Sequence, residues 1–381
     1  MVSKNILALL NLRDKHLHIA QDTELLKLIY SRINQGNFLN QKFYNRLIWL
    51  KFLFYFFLTV ATYLTLFRLT QPVLFILCFI LYGFSALLLA FNFAHDFSHN
   101  TVFKSKRWNN LGFTLLYTLV GAHAEAWKQR HIHSHHYAPN VEDYDSDLKI
   151  SNLIRVIPNS KFYPFHRYQH IYAPLAYTSY SLFWVFIKDF VILYSSDDYT
   201  KNKGFKYHLT FWLQKTFYLT YLLVLPLLFS DQSWPIILTG FLAMHLLQSL
   251  FLLFTFFMTH HVENTKYPTT DEEGIINTSW LMNQIHSSND MHPFSAVANF
   301  ILGGFNNHIA HHLFPHIHHI YYPQLNRILY QILQEHGITP NQTTYVGGII
   351  SHLRLLKQMS YEQANQVVSQ QVAIKGSKLV S

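Results

Sequence analysis

The sequence predicts an all-α polytopic membrane protein with four transmembrane helices, interfacial helices and a cytosolic histidine-rich helical cap. Of its 381 residues, 17% are aromatic and only 13% are charged, whereas a soluble globular protein is usually about one quarter charged. Four apolar segments are long enough to cross a hydrocarbon layer of about 30 Å. Several of the 25 histidines fall into three clusters that follow or flank these segments.

Residues 1–45 form a mixed segment ahead of the predicted membrane domain, residues 46–345. Residues 24–30 have the spacing of an amphipathic helix, which would lie either on the membrane surface or against the folded domain. The short apolar stretch at residues 6–12 runs directly into charged residues, so no signal peptide is predicted. Residues 346–381 are expected to be a cytosolic tail with a frayed end.

The four predicted spans form two antiparallel hairpins, residues 47–67 with 73–91 and residues 209–229 with 235–258. An even number of crossings returns the chain to its starting side. Both ends of the chain and all three histidine clusters are therefore expected on one face of the membrane.

The distribution of basic residues predicts which face this is. The turns on the opposite face carry only Arg68, whereas the loops on the histidine side carry Lys104, Lys106, Arg107, Lys128, Arg130, Lys201, Lys203 and Lys206. The positive-inside rule makes the histidine side cytoplasmic, and a bacterial inner membrane is the expected location. Five of these residues, from Lys104 to Arg130, could also form a docking surface for an acidic electron carrier or a phosphate-bearing head group.

Two segments between the hairpins are predicted to be interfacial or half-inserted helices. Residues 111–120 are too short to cross a bilayer. Residues 175–193 are long enough, but Lys188 and Asp189 interrupt their apolar character.

Composition excludes several classes of protein. The single cysteine, Cys78, rules out a disulfide framework or a cysteine-based zinc site within one chain. The formal net charge is +9, yet no basic stripe alternates with aromatic residues, so a nucleic-acid partner is not predicted. The sequence also lacks internal repeats and glycine-rich phosphate-binding loops.

The three histidine clusters point to bound metal. On a helix, residues at i, i+3 and i+4 share one face. Protonated imidazoles crowded there would repel one another, and buried neutral imidazoles would each need a partner for their lone pair. A metal ion satisfies both requirements. The clusters are His95 and His99; His131, His135 and His136; and His308, His311 and His312.

Eight imidazoles exceed the four ligands of one structural zinc ion and fit two metal ions better. Imidazole nitrogen suits divalent iron without excluding zinc or copper. His260 ends the fourth span on the same face as the clusters and is a ninth candidate ligand. His261 or His286 could take its place.

Three aspartates near the clusters are candidate hydrogen-bond acceptors for ligand imidazoles, because metal-bound histidines usually donate their second ring N–H to an outer partner. They are Asp96, Asp145 and Asp147. A solvated loop position is the alternative for each of them. His316 and His318, which follow the third cluster, are not predicted to be ligands.

The motifs and their spacing resemble the integral-membrane fatty acid desaturases, specifically the bacterial acyl-lipid or linoleoyl-coenzyme A desaturase-like branch. The resemblance covers about residues 40–340. The residues that carry it are Ala94-His-Asp-Phe-Ser-His99; Trp127 with His131-x-x-x-His135-His136-x-x-x-Asn140 and Asp145-Ser-Asp147; Thr259-His260-His-Val-Glu263; and Gly303-Gly304-Phe-Asn306 ahead of His308-Ile-Ala-His311-His312-Leu-Phe-Pro315.

This resemblance implies a non-haem centre of two iron ions, dioxygen as the oxidant, and an acyl chain in a bent apolar tunnel between the spans. Asn306 and His319, which flank the third motif, are candidates for supporting the ligands from outside, and a surface position is the alternative for His319. The implied ligands are His95, His99, His131, His135, His136, His260, His308, His311 and His312.

Two departures from the family's patterns qualify what the resemblance implies. In the front-end branch the third motif opens with Gln, so His308 in that place argues against front-end regiochemistry. Many relatives carry a fused haem-binding domain with a His-Pro-Gly-Gly stretch, which this sequence lacks. Electrons are therefore expected from a separate donor of the ferredoxin or cytochrome b type.

The predicted function is desaturation of a fatty acyl chain in a lipid or a coenzyme A thioester. One alternative is a membrane hydroxylase or carotenoid ketolase of the same histidine-rich class. Another is a metal-ion transporter, but transporters place their ligands near the bilayer midplane. Among the histidines, only His245 lies deep in a predicted span.

Overall fold

The computed structural model of the protein describes residues 15–35, 41–148, 151–195 and 203–361. These ranges are mainly helical and contain two strands of two residues each, and the predicted all-α membrane fold is confirmed. The apolar stretch at residues 6–12, Lys201 and the tail beyond residue 361 lie outside the described residues.

The α-helices of the described chain are, in order, α1 (Ala20–Gln35), α2 (Gln41–Leu66), α3 (Pro72–Ser98), α4 (Lys106–Leu119), α5 (Ala124–Arg130), α6 (Gln169–Tyr177), α7 (Tyr180–Phe183), α8 (Asp189–Tyr194), α9 (Phe205–Leu219), α10 (Leu225–Phe229), α11 (Trp234–His260), α12 (Trp280–His286), α13 (Ala296–Leu302), α14 (His308–Leu313), α15 (Tyr322–Glu335) and α16 (Tyr345–Gln358).

Shorter elements complete the described chain. Single π-helical turns occur at His131–His135, Trp184–Lys188 and Thr220–Val224, and 3-10 turns occur at Ser146–Leu148, Pro164–Tyr168, Phe305–Asn307 and His319–Tyr321. Two short strands, β1 (Asp290–Met291) and β2 (Gln342–Thr343), pair in parallel, with Asp290 opposite Gln342.

Four helical segments of the described chain are long and apolar enough to cross a membrane: Phe43–Leu66, Pro72–Ser98, Phe205–Phe229 and Trp234–His260. Each overlaps one of the predicted spans, and the protein is an integral membrane protein. The second segment continues past the predicted end at residue 91, so His95 lies within the helix.

The region predicted as one interfacial helix at residues 175–193 is different in the structure. It consists of two helical segments, Pro164–Tyr177 and Tyr180–Tyr194, which meet at an angle of 80°. Taken together, they are also apolar enough to form a broken span. The sequence breaks the helix near Thr178 and Ser179, whose hydroxyl groups donate to the carbonyl oxygens of Leu175 and Ala176.

The charges that interrupt this apolar region are accommodated by a buried ion pair. Lys215 Nζ of α9 lies 2.6 Å from Asp189 Oδ2 and also donates to the carbonyl oxygens of Gly121 and Val185. The other Asp189 oxygen accepts a hydrogen bond from Trp184 Nε1. A charge taken out of water is tolerated when it is paired and hydrogen-bonded in this way.

Helix α3 is the centre of the bundle, and every residue from Leu87 to Ser98 is buried. It packs closely on α11, because a Cβ atom at Gly83 would lie 1.9 Å from Met244 Cγ. These two helices carry His95 and His260 to the same end of the bundle. The cap, which comprises the π-helical turn after α5 and helices α12, α14 and α15, covers this end.

Helix α1 packs on the cap, which decides between the two placements expected for residues 24–30. Its buried side chains, including Leu26 and Ile29, join an apolar cluster with α12, α14 and α15. Tyr30 Oη donates to the carbonyl oxygen of Leu313 at 2.6 Å. The N-terminal helix therefore supports the segment that carries the third histidine motif.

We expect Lys215→Met to destabilise the protein by about 3–5 kcal/mol, because it leaves the Asp189 carboxylate buried without its cation. Thermal unfolding of the purified protein in detergent measures the effect. Arg32→Ala is the control, since the Arg32–Glu335 pair is 44% and 38% exposed and such pairs contribute about 0–1 kcal/mol. Equal effects of the two changes would contradict the buried-pair assignment.

Candidate metal centre

Each histidine cluster comes from the end of a helix or from an irregular turn. His95 lies in the last turn of α3, and His99 caps the same helix. The second cluster occupies the π-helical turn that follows α5, and the third occupies the short helix α14. His260 is the last residue of α11. All four elements end at the same level of the bundle.

The structure brings all nine predicted ligand histidines into two adjacent groups. Within each group the ring nitrogens offered by the members all lie within 4.8 Å of one another. The five-histidine group is His95, His99, His131, His136 and His311, and the four-histidine group is His135, His260, His308 and His312.

Adjacent residues in the second cluster enter different groups. His135 belongs to the four-histidine group and His136 to the five-histidine group. The wide π-helical turn places them in this way: their ring planes are 83° apart, and the ring centroids are 6.0 Å apart. The same division occurs in α14, where His311 and His312 enter different groups.

Three rings of the four-histidine group are held from outside through Nδ1. His260 Nδ1 donates to the carbonyl oxygen of Ser287 at 2.8 Å. His312 Nδ1 lies 2.8 Å from Gln284 Oε1, and His135 Nδ1 lies 3.0 Å from Asp145 Oδ2. A ring that donates through Nδ1 carries its lone pair on Nε2. The outer acceptors therefore turn three lone pairs toward the centre of the group.

These inward lone pairs are the structural test for a metal. The Nε2 atoms of His260 and His312 lie 3.4 Å apart, and neither carries a hydrogen that could join them. His308 Nε2 lies 2.6 Å from His260 Nε2. In the other group, His99 Nε2 is buried and has no hydrogen-bond partner among the described residues. Such an arrangement fits metal ions, which accept electron pairs from all of these nitrogens.

The charge state of the imidazole rings also fits metal binding. Burial lowers the pKa values of His308, His311 and His312 well below the ordinary histidine value, and the neighbouring imidazoles lower them further. They are neutral at neutral pH, as metal ligation requires. His135 is the exception: burial opposes its protonation, but the Asp145 carboxylate raises its pKa.

Asn140 belongs to the second motif, but the sequence did not indicate what its side chain does. Its side-chain amide donates to the carbonyl oxygens of His260 at 3.0 Å and Lys266 at 3.1 Å, and its backbone N–H donates to Asp145 Oδ2 at 3.0 Å. Its φ is +61°, a conformation that Asn tolerates better than most residues. Asn140 thus ties the second motif to the end of α11.

The sequence gave no indication that Asp290 contributes to the site. Its buried carboxylate accepts hydrogen bonds from the backbone N–H of Ile309 at 2.9 Å, from Tyr330 Oη at 2.9 Å and from Asn326 Nδ2 at 3.1 Å. It fixes the first turn of α14 and so positions the third motif. Burial raises the pKa of this carboxyl to about 7. Its partners are distant in sequence, and no local pattern indicated them.

Two of the predicted acceptors do not hold a histidine of either group. Asp96 accepts instead from His319, whose Nδ1 lies 2.7 Å from Asp96 Oδ2 while its Nε2 accepts from Lys51 Nζ at 2.7 Å. Asp147 lies 3.9 Å from Arg130 Nε. Only Asp145, which binds the His135 ring, has the predicted contact among the described residues.

The other candidates around the site lie outside the two groups. His319 is buried and links Lys51 to Asp96 by two hydrogen bonds. The side chain of Asn306 is buried and has no hydrogen-bond partner among the described residues. His261 Nδ1 bonds to Tyr267 Oη, and His286 is only half-buried. Among the three alternatives for that position, the structure places His260 in the group.

Two adjoining cavities reach the histidines. An apolar cavity runs past His95 to Ser181, Val185 and Gln248. A more polar cavity is lined by His131, His135, His260 and His308 among others. The two share four aromatic wall residues: Trp127, Trp184, Phe256 and Phe305.

A family model described as fatty acid desaturase matches residues 70–344, which include all nine histidines. The chain belongs to the fatty acid desaturase family. The matched residues include three of the four candidate membrane spans, from α3 onward, and the segments that carry both histidine groups.

Named relatives agree with the family. The chain is 30% identical to an acyl-lipid (8-3)-desaturase of Physcomitrium patens over 67% of its own length and 54% of that protein. It is also 30% identical to acyl-lipid (8-3)-desaturase B of Dictyostelium discoideum, over 81% and 68% of the two chains. An sn-1 linoleoyl-lipid 6-desaturase of Synechocystis is 29% identical, over 71% and 76%. The chain thus spans about half the length of the first of these relatives.

We expect Asp145→Asn to weaken metal binding by about 10–100-fold, because it removes the charge that orients His135 and makes its ring more basic. Metal titration of the stripped protein measures the affinity. Asp143→Asn is the matched control, since Asp143 lies in the same loop but is exposed and bonds to Thr270 Oγ1. An unchanged affinity in Asp145→Asn would contradict the role of this carboxylate.

We also expect the metal-free protein to lose stability as the pH falls below about 6.5. The imidazoles of His308, His311 and His312 have lowered pKa values in the folded protein, so the unfolded chain binds protons first. Stability is therefore fully present above the unfolded pKa and is lost on acidification. Thermal unfolding of stripped protein between about pH 8 and about pH 5 measures this. An unfolding temperature that rises on acidification would be the opposite result.

Proposed function

We propose that this chain is a membrane fatty acid desaturase that uses dioxygen and two electrons to introduce a double bond into a fatty acyl chain. The observation that carries this proposal is that histidines of the two groups line two adjoining cavities, one of which is apolar. A redox centre that faces an apolar cavity is suited to the oxidation of an unactivated hydrocarbon.

The metal is proposed to be iron, as a pair of ions. Every donor in the two groups is an imidazole nitrogen, which suits divalent iron, and nine donors are too many for one ion. The five-histidine group would hold one ion and the four-histidine group the other. When bound, iron would supply the dioxygen-dependent redox chemistry that breaking an unactivated C–H bond requires.

The chain's own residues would bind the acyl chain and exclude water. The walls of the apolar cavity are Leu, Ala, Phe and Trp side chains, such as Leu87 and Leu252, which favour a hydrocarbon over water. The four shared aromatic residues place that hydrocarbon beside both histidine groups. A dry site also protects the oxidising centre from side reactions with water.

The substrate is proposed to be an acyl chain in a membrane lipid, with a linoleoyl lipid as the first candidate. Support comes from the relatives, whose names describe acyl-lipid and linoleoyl-lipid desaturases. The same names, 6-desaturase among them, favour a double bond near the carboxyl end. This position disagrees with the expectation from His308, which argued against front-end regiochemistry.

The electron donor is proposed to be a reduced carrier of the ferredoxin or cytochrome b type on the cytoplasmic face of a bacterial inner membrane. The exposed basic residues Lys104, Lys106 and Arg107 support docking of an acidic carrier there. Arg130, which was predicted to belong to this surface, is buried and donates to the carbonyl oxygen of Ser146. It supports the loop beside the metal centre instead.

We expect His312→Ala to abolish the unsaturated product and to lower bound iron, because it removes one of four imidazoles from its group. The protein is expressed in a host that lacks polyunsaturated lipids, and double bonds are mapped by mass spectrometry. His336→Ala is the control, since His336 lies outside both groups and bonds to the carbonyl oxygen of Ile332. Full activity of His312→Ala would refute the ligand assignment.

We expect heavy oxygen supplied as dioxygen to appear in water and not in the fatty acid. A desaturase removes two hydrogens from neighbouring carbons and leaves no oxygen in the product, whereas a hydroxylase or ketolase retains one atom. Mass spectrometry of the acyl product under labelled dioxygen distinguishes them. A labelled hydroxyl or keto group would move the assignment to the alternative reaction.

A further inference from the structure

Lys188 lines the polar cavity, and its amino group has no hydrogen bond or ion pair among the residues that the structure describes. The residue as a whole is only 9% exposed. Its Nζ lies 5.2 Å from the centroid of the Trp184 ring. An amino group that is largely withdrawn from water and has no acceptor within the described chain is stabilised by an acceptor from outside it.

The neighbouring carboxylate does not satisfy this amino group. Asp189 Oδ2 accepts hydrogen bonds from the backbone N–H of His123 at 2.8 Å and from Lys215 Nζ at 2.6 Å. Its other oxygen accepts from Trp184 Nε1 at 3.1 Å. Each of the two oxygens therefore already has a donor from within the chain.

Lys188 lines the polar cavity together with His135, His260 and His308. It lies at the end of the π-helical turn Trp184–Lys188, an irregularity that is frequent at functional sites. Trp184, at the start of that turn, belongs to the walls of both cavities. A molecule that occupies both cavities would have one part beside Lys188 and a hydrocarbon part in the apolar cavity, and it would contact the histidines that line both.

The lining of the polar cavity and the proposed substrate together indicate what kind of acceptor fits. The lining contains one lysine, Lys188, and two aspartates, Asp145 and Asp147. Each aspartate already has a partner within the chain, because Asp145 is bonded to His135 and Asp147 lies 3.9 Å from Arg130 Nε. The proposed acyl substrate carries a carbonyl oxygen, which accepts a hydrogen bond from the amino group.

We propose that Lys188 binds the carbonyl oxygen at the head of the acyl substrate, in an ester or a thioester. This inference rests on the proposed desaturase function. The contact fixes the distance along the chain from the carbonyl carbon to the carbons beside the metal centre. Lys188 is therefore a specificity-determining residue, and the position of the double bond is set from the carboxyl end.

Binding tests the contact directly. Methyl linoleate is compared with the hydrocarbon of the same chain that lacks the ester, and affinities are obtained from ligand-dependent thermal unfolding of the full chain. We expect the wild-type protein to prefer the ester by about tenfold, which corresponds to one hydrogen bond from a charged donor. Lys188→Met should lose this preference and retain its affinity for the hydrocarbon.

The matched control is Lys161→Met. Lys161 also lies over an aromatic ring, 5.1 Å from the centroid of Tyr163, but it lines neither cavity. This variant should keep the ester preference of the wild type. A preference that survives in Lys188→Met, or that is absent from the wild-type protein, would overturn the proposal.

The double-bond position provides a second test that needs no variant. Acyl chains of increasing length are supplied to the wild-type enzyme in two series. In the first series, methyl esters are given to the expression host. In the second series, coenzyme A thioesters are given to membranes isolated from that host. We expect a constant position counted from the carbonyl carbon. A constant position counted from the methyl end would overturn the anchor while leaving the desaturase function intact. A wild-type chain that forms no double bond would overturn both.

Discussion

The structure depends on one constraint, which is that nine closely packed imidazoles must direct their lone pairs at common centres. Burial and mutual repulsion keep protons off rings such as His311 and His312. Outer acceptors, the Ser287 carbonyl among them, hold the remaining hydrogen on the far side of the ring. The Nε2 atoms of His260 and His312, 3.4 Å apart with both lone pairs directed inward, are unfavourable without a cation between them. The site is thus arranged for metal before any metal binds.

The membrane bundle and the cap make separate contributions to this site. Helices α3 and α11 pack closely at Gly83 and deliver His95 and His260 to the same level. The cap then contributes the other histidines on short or irregular elements, which need external support. That support comes from buried polar side chains, Asn140 and Asp290, whose hydrogen bonds join segments far apart in sequence. The apolar cavity follows from the same arrangement, because the helices that carry the histidines also form its walls.

The sequence allowed accurate prediction of features with a local signal and missed those that depend on distant contacts. Apolar length predicted the four spans, and helical spacing predicted that His308, His311 and His312 share a short helix. The division of His135 and His136 between two groups depends on a π-helical turn, which has no spacing signature. Asp96 was expected to hold a ligand ring, but its partner is His319, more than two hundred residues away. The sequence also did not indicate that Lys188 lines a cavity, because its charge was interpreted only as an interruption of an apolar run.

The central claim is that the chain binds two metal ions at inequivalent sites, one with five histidines and one with four. The most direct measurement is the Mössbauer spectrum of full-length protein produced with iron-57 and kept reduced, together with the iron content per chain. The account predicts two iron ions per chain and two signals of equal area, one for each group. A single iron ion per chain, or a chain that binds no iron under these conditions, would contradict it.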